Sequence, residues 1–219
     1  MQSDPEAGPS ELPAVRTKTL QELRELYAGM AAPMEWFGWL NRAATGSHRR
    51  RLFGRAEGRV LDVACGLGMN VRYLPEGIEY VGIDLSPDML ARARRRLGHL
   101  GPGVTFREMD AGALEFPDDS FETVISALST CTFPDPPAAL REMARVCRPE
   151  GRILLVEHGR SDVPLIARYQ DWRAEAHYEK HGCRWNRDPV RVVSEAGLRV
   201  RDHWRGRLGI VTAIEAEAG

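Results

Sequence analysis

The chain is short of several things at once. Only two of its thirty basic residues are lysines, Lys18 and Lys180. The rest are arginines, and the excess reads as compositional bias. It has four cysteines, Cys65, Cys131, Cys147 and Cys183, each alone in sequence and none in a C-x-x-C pair. That spacing gives neither a zinc knuckle nor a disulfide framework, no metal ligand set is read from it, and free thiols suit a reducing cytoplasm. No apolar run approaches the roughly 20 residues of a membrane span. Met1–Pro13 is acidic and proline-rich and lacks an apolar signal core. A formal net charge of −1 leaves no global field that selects nucleic acid or an anionic membrane. Internal repeats and low-complexity tracts are absent from the body of the chain.

What is present is enough for one sizeable domain. The 219 residues are 43% hydrophobic and 28% charged, so the chain can bury a core. Residues 1–16, with Pro5, Gly8, Pro9 and Pro13, read as a flexible tail. Residues 17–57 read as an N-terminal helical lid. Leu20, Leu23, Leu26 or Tyr27, and Met30 share a helix face, Pro33 interrupts the helix, and Met34, Trp36, Phe37, Trp39 and Leu40 follow. The aromatic patch, with the basic run His48–Arg51, reads as a cap over the site. A membrane-surface contact is the competing reading.

After Gly58 short apolar runs alternate with amphipathic ones. Strands are predicted at 59–64, 79–83, 104–108, 121–126 and 152–157. Helices are predicted to start at Met69 and to cover 87–97, 137–147, 163–180 and 188–196. The runs 198–205 and 209–216 read as two strands of an antiparallel edge. The fold expected for 58–219 is Rossmann-like α/β, a mostly parallel seven-stranded sheet with helices on both faces.

The densest motif is Val60-Leu61-Asp62-Val63-Ala64-Cys65-Gly66-Leu67-Gly68, a strand running into a glycine turn. Gly66 and Gly68 allow backbone to approach a ligand where a Cβ would clash. Val81-Gly82-Ile83-Asp84 ends the next strand in an acid, about 20 residues on, where a Rossmann-type fold places a carboxylate for ribose hydroxyls. Asp110 follows the third strand and can accept from an adenine amino group, with Met89 and Leu114 as apolar surface for the ring. The second glycine is followed by Met69-Asn70-Val71 rather than a third glycine, which disfavours a nicotinamide dehydrogenase.

Four blocks in order, VLDVACGLG, VGIDLSPDML, MDAGALEFPDDSFETVIS and LREMARVCRPEGRILLVEHG, resemble class I S-adenosylmethionine-dependent methyltransferases, in their UbiE/MenG-like branch. The later runs Ser129–Pro136, Glu157-His158 and His181-Gly182-Cys183 are similar to bacterial relatives of methyltransferase-like thiol methyltransferases and to phosphatidylethanolamine N-methyltransferases. The resemblance implies S-adenosyl-L-methionine as cofactor. It implies that Asp62, Gly66 and Gly68 line its methionine end, with Ser126 and Ala127 beside it, and that Ala64 is also cofactor-binding. Asp84 would take the ribose, Leu85 and Met89 would lie near adenine, and Asp110 and Ala111 would meet the adenine edge. Tyr27 sits where relatives carry a tyrosine that closes over the cofactor, although Ala28 replaces the usual aspartate after it.

A general base is needed only if the acceptor arrives protonated. Of His158, His177 and His181, His158 stands best, just after the fifth strand, and is the candidate catalytic residue. Cys131 reads as a buried small hydrophobe, with a pocket wall or a metalloid ligand as alternatives. The expected function is methyl transfer to a small or amphiphilic acceptor, such as a thiol or other soft nucleophile, in the cytoplasm and without nucleic acid. The alternatives are a phospholipid N-methyltransferase at the membrane and a cofactor-binding protein without catalysis.

Overall fold

The computed structural model describes residues 16–217; nearly all of the expected tail, 1–16, therefore lies outside the described residues. Seven strands form one sheet: β1 Arg59–Val63, β2 Glu79–Asp84, β3 Val104–Glu108, β4 Phe121–Ala127, β5 Cys147–His158, β6 Arg199–Gly206 and β7 Val211–Glu217, in the order β3-β2-β1-β4-β5-β7-β6. The first five are parallel, and β7 runs antiparallel to β5 and β6. The expected fold class is thus observed. The order reverses between β1 and β4, so a crevice opens beyond their C-terminal ends, where open α/β sheets bind ligands.

Alternation along each strand divides the core. Leu61 and Val63 of β1 face the cluster that includes Ile83, Val124 and Leu155. Val60, one residue out of phase, faces Ile125, Leu154 and Val156 on the other side. Helices cover both faces: α1 Leu20–Trp36, α2 Gly38–Phe53, α3 Pro87–Leu97, α4 Pro136–Val146, α5 Pro164–His181 and α6 Pro189–Glu195. Each of α3, α4 and α6 starts on a side-chain cap, Ser86, Asp135 and Asp188, followed by proline at the first helical turn.

Three expectations change. Pro33 does not interrupt α1; its missing N–H costs one bond near the end of the helix, and Phe37 N still donates to Pro33 O at 2.9 Å. The chain turns four residues later, at Phe37. No α-helix begins at Met69, where only a single 3-10 turn forms, Val71–Tyr73. And 17–57 is not one lid. Thr19 opens α1 with a capping box to Glu22, and α1 lies over the crevice. Leu52 and Phe53 of α2 are fully buried in the cluster that holds Val60, Ile125 and Leu154. The expected boundary at 57/58 therefore cuts through a single core.

The expected role of Gly68 changes as well. Its φ is +66°, and a Cβ there would stand 2.5 Å from Leu97 Cδ1 of α3. Gly68 thus lets α3 pack on the turn. Gly77 has φ +81° with nothing within 4 Å. Gly68→Ala should cost about 2 kcal/mol or more, left-handed strain plus displacement of Leu97, and Gly77→Ala only about 1 kcal/mol. Urea denaturation of the two variants checks this, and equal losses contradict the packing role.

Candidate cofactor and acceptor site

The crevice at the β1/β4 switch holds a cavity of about 170 Å³, closed on one side by α1. Its floor comes from the ends of three strands. Ala64, Cys65 and Gly66 follow β1; Asp84, Leu85 and Met89 end β2 and open α3; Met109, Asp110 and Ala111 follow β3. The sequence-predicted residues Tyr27, Ala64, Gly66, Asp84, Leu85, Met89, Asp110, Ala111 and Ala127 all line this one space.

The Asp84 carboxylate organises the floor. One oxygen accepts from Gly66 N at 2.8 Å and the other from Ser86 N at 2.9 Å. Burial pushes this acid up from its ordinary value, against the pull of those backbone N–H groups. Each carboxylate oxygen keeps acceptor capacity for a hydroxyl. Gly66 has φ +54°, and a Cβ there would meet nothing within 4 Å, so backbone borders open space. Ala64 and Leu128, the residues after β1 and β4, also take positive φ, +54° and +59°, without being glycine. Both line the cavity, and strain of this kind persists where the surroundings over-determine the backbone.

Asp62, Gly68 and Ser126, expected on the methionine end, do not line the cavity. Asp62 shares the sheet face of Val60 and is fully buried behind the wall. It accepts from both the Tyr80 hydroxyl at 2.6 Å and Asn70 Nδ2 at 3.0 Å. Asn70 Oδ1 in turn accepts from Arg49 Nη1 at 2.8 Å. Arg49, from the basic run of α2, is 4% exposed, borders the cavity, and leaves its buried Nε without a partner. Ser126 Oγ donates to Val63 O at 2.7 Å and contacts Ser129 Oγ, pinning β4 to β1. The loop after β4 is held from below by buried Glu157, which accepts from Ser129 N at 3.1 Å. Leu114 belongs to the core beneath the floor. Sequence reasoning missed Arg49 and Asn70 as members of the wall. The signal for Arg49 was its place in the basic run of α2.

The chemistry of this set fits the cofactor that the motifs imply. A carboxylate with spare acceptor capacity suits ribose hydroxyls. Leu85, Met89 and Met109 give a ring apolar surface, and Arg49 brings a guanidinium to the wall that suits a carboxylate.

The rest of the cavity wall includes Leu20, Leu23 and Met34 of α1 and Leu128, Ser129, Thr132, Phe133 and Pro134 after β4. His158 is not on it. Its Nε2 lies 3.3 Å from both Cys131 Sγ and Cys183 Sγ, which corrects its candidacy as a base facing the acceptor. The two cysteines, far apart in sequence, meet at 3.3 Å, so the expectation of unclustered thiols is also corrected. Hydrogen bonding by Cys131, reinforced by His158 and His177 and opposed by burial, holds the Cys183 thiol well below its usual range. Burial works against charge on His158, but Cys183 and Glu157 raise its imidazole above its ordinary value.

The aromatic cap is corrected too. Trp36 is 82% exposed and Phe37 and Trp39 each 56%, projecting outward at the α1–α2 corner. A larger cleft of about 740 Å³ lies elsewhere, lined by Arg160, Asp162, Asp188 and Arg205. Arg205 pairs with both of those aspartates, and Arg160 with Asp171, so these charges are already matched within the protein.

Residues 61–155 match the family model described as a methyltransferase domain. Phosphatidylethanolamine N-methyltransferase of Cereibacter sphaeroides is 41% identical over 113 residues, 50% of this chain and 56% of that protein. Demethylmenaquinone methyltransferase of Thermus thermophilus is 43% identical over 106 residues, 47% of this chain and 48% of that protein. The chain spans about half the length of these curated relatives. A SAM-dependent methyltransferase of Thermotoga maritima superposes with a TM-score of 0.69 at 19% identity, covering 90% of this chain and 100% of that one, a likeness of fold.

Burial, opposed by the Tyr80 and Asn70 hydrogen bonds and by Arg49, pushes Asp62 up to about 7. An acid raised in the folded state takes up a proton on folding, so its contribution to stability is present below its ordinary value and is lost as pH rises through about 7. Asp62→Asn should therefore flatten the decline in stability between pH 4.5 and 8. That decline is a few kcal/mol at most, because a tenfold change in proton affinity is worth about 1.36 kcal/mol. Urea midpoints across that range check this, and an unchanged slope contradicts it.

Proposed function

We propose that this chain, which belongs to the class I S-adenosylmethionine-dependent methyltransferases of the UbiE-like kind, methylates an amphiphilic acceptor taken from a membrane surface. S-adenosylmethionine is its cofactor, and it supplies a methyl group already activated as a sulfonium.

The observation that carries the acceptor class is the make-up of the wall opposite Asp84. Leu20, Leu23, Met34, Leu128, Phe133 and Pro134 are apolar, and polar side chains among them are those of Tyr27, Asn41, Ser129 and Thr132. Such a wall binds a hydrocarbon body and orients it with a few polar groups. Tyr27 is itself fixed, donating to His181 O at 3.2 Å. Asp84 would hold the ribose, Asp110 the adenine edge, and Arg49 the methionine carboxylate. α1 excludes water over the crevice, and positioning in a dry site is the main acceleration available to an activated methyl donor.

The membrane reading is supported by the α1–α2 corner. Trp36, Phe37, Trp39 and Leu40 are all exposed there, beside a pocket bordered by Arg42, Arg72 and Arg96. Aromatic rings among arginines suit the interface of an anionic bilayer. No helix of the described residues is long and apolar enough to cross a membrane, so this is contact at a surface. One of the relatives is named for a phospholipid amine, which supports an amine head group on such an acceptor. A small soluble thiol is the competing acceptor.

Asp84→Ala should weaken S-adenosylmethionine binding by about 1.5–3 kcal/mol, since it deletes a charged hydrogen-bond acceptor. Calorimetry checks this, and unchanged affinity in a folded variant removes the ribose assignment. The acceptor is tested with methyl-labelled cofactor against phospholipid amines in vesicles, long-chain amines and small thiols. Label in the amphiphiles supports the reading, and label in the soluble thiols alone rejects it. In flotation with anionic vesicles, wild type should rise with the lipid and the double variant W36S/W39S should stay behind. Equal behaviour of the two removes the surface contact.

A further inference from the structure

The first residue of interest is Cys131, in the loop after β4; the second is His158, the last of β5; the third is Cys183, just past the left-handed cap Gly182 of α5. They are 25 to 52 residues apart in sequence, yet their ligand atoms form a triangle with three edges of 3.3 Å. Both thiols are free and buried. The sulfurs are far beyond the bond length of about 2.05 Å for a disulfide. Their separations approach the roughly 3.5–3.8 Å between ligands of a tetrahedral ion with metal–sulfur bonds near 2.3 Å and metal–nitrogen bonds near 2.0–2.1 Å.

We propose that Cys131, His158 and Cys183 bind a soft divalent cation of the Zn²⁺ type, with three protein ligands and one exchangeable position. Two thiolates and a neutral imidazole balance the charge of such an ion. Soft sulfur with imidazole selects zinc over magnesium or calcium, which take oxygen ligands. His158 keeps partial exposure whereas both cysteines are buried, which gives the ion a route in.

The supports of the triangle are already built. Arg184 N donates to Cys131 O at 2.9 Å, joining the strand of chain after Cys183 to the loop of Cys131. Thr132 N and its hydroxyl both bond Ser129 O, at 2.8 and 2.7 Å, which closes that loop into a turn. Glu157, one residue before His158, accepts from Ser129 N beneath the same turn. The ion would therefore clasp the β4 loop to the end of α5. Leu128 and Thr132, on either side of Cys131, line the acceptor wall. The clasp positions that wall without facing the acceptor, and it holds whichever acceptor the enzyme uses.

The test is metal binding by the full, freshly reduced chain. Competition with a chromophoric chelator should show a single Zn²⁺ ion held per chain. Co²⁺ alone should give the absorption of thiolate-to-metal charge transfer together with the intense visible bands of a tetrahedral site. Cys131→Ser and Cys183→Ser should each lose that charge-transfer intensity and release the ion to the chelator. Cys147→Ala, with a thiol buried at the start of β5, should keep both signals. Zn²⁺ should also raise the thermal midpoint of wild type and not that of the two serine variants. If either serine variant fails to fold, the Co²⁺ spectrum of wild type decides alone. Absence of thiolate charge transfer, or binding that survives both substitutions, overturns the site. So does a chain that takes up no ion while Cys131 and Cys183 readily form a disulfide in air.

Discussion

Much of this molecule hangs on one ion–dipole contact, the Asp84 carboxylate accepting the N–H of Gly66. It joins the end of β2 to the turn after β1, so the two strands present their C-terminal ends as one surface. Without it, the left-handed Gly66 would have a free N–H at the mouth of a crevice, and the turn would be less defined. The second oxygen of Asp84 starts α3 through Ser86 N. A single acid thereby sets the path of the glycine turn and the entry of the next helix, and it retains acceptor capacity toward the cavity.

Behind that floor a second polar chain runs Tyr80–Asp62–Asn70–Arg49. It crosses from the sheet to α2 and ends at an Nε without a partner. Burying so many polar groups is tolerable because nearly every one is satisfied by its neighbour. The exception is the Nε of Arg49, a residue that borders the cavity. α2 is thus core, through Leu52 and Phe53, and site wall, through Arg49, which is why the N-terminal region cannot be treated as a removable cover. Among the described residues, α1 occupies that position.

The strands and the helices from α3 onward were legible because their signals are local. Period-two apolar runs, Ser86, Asp135 and Asp188 as caps, and the prolines that follow them all act within a few residues. Gly66, Asp84 and Asp110 were legible because the glycine turn and the acid-ended strand fix their places. What escaped was set by packing across the chain. Gly68 serves Leu97, a contact invisible in the motif. Asp62 falls on the strand face that turns away from the cavity. The residues after Gly68 lack the length for a helix before Leu74 returns the chain to β2. His158, Cys131 and Cys183 meet only because the end of β5, the β4 loop and the end of α5 converge beyond the C-terminal ends of two central strands. The aromatic corner at Trp36 reads as a cap from its sequence, and only the placement of α1 and α2 turns it outward.

The proposed methyl transfer requires that the β1–β2–β3 ends, and not the larger arginine-lined cleft beside α6, receive the cofactor. A crystal structure of the chain with S-adenosylhomocysteine separates the two locations. The ribose hydroxyls should lie on the Asp84 carboxylate, the adenine among Leu85, Met89 and Asp110, and the amino-acid carboxylate toward Arg49. Density for the nucleoside in the cleft of Arg160, Asp188 and Arg205, with the crevice under α1 empty, would contradict this assignment.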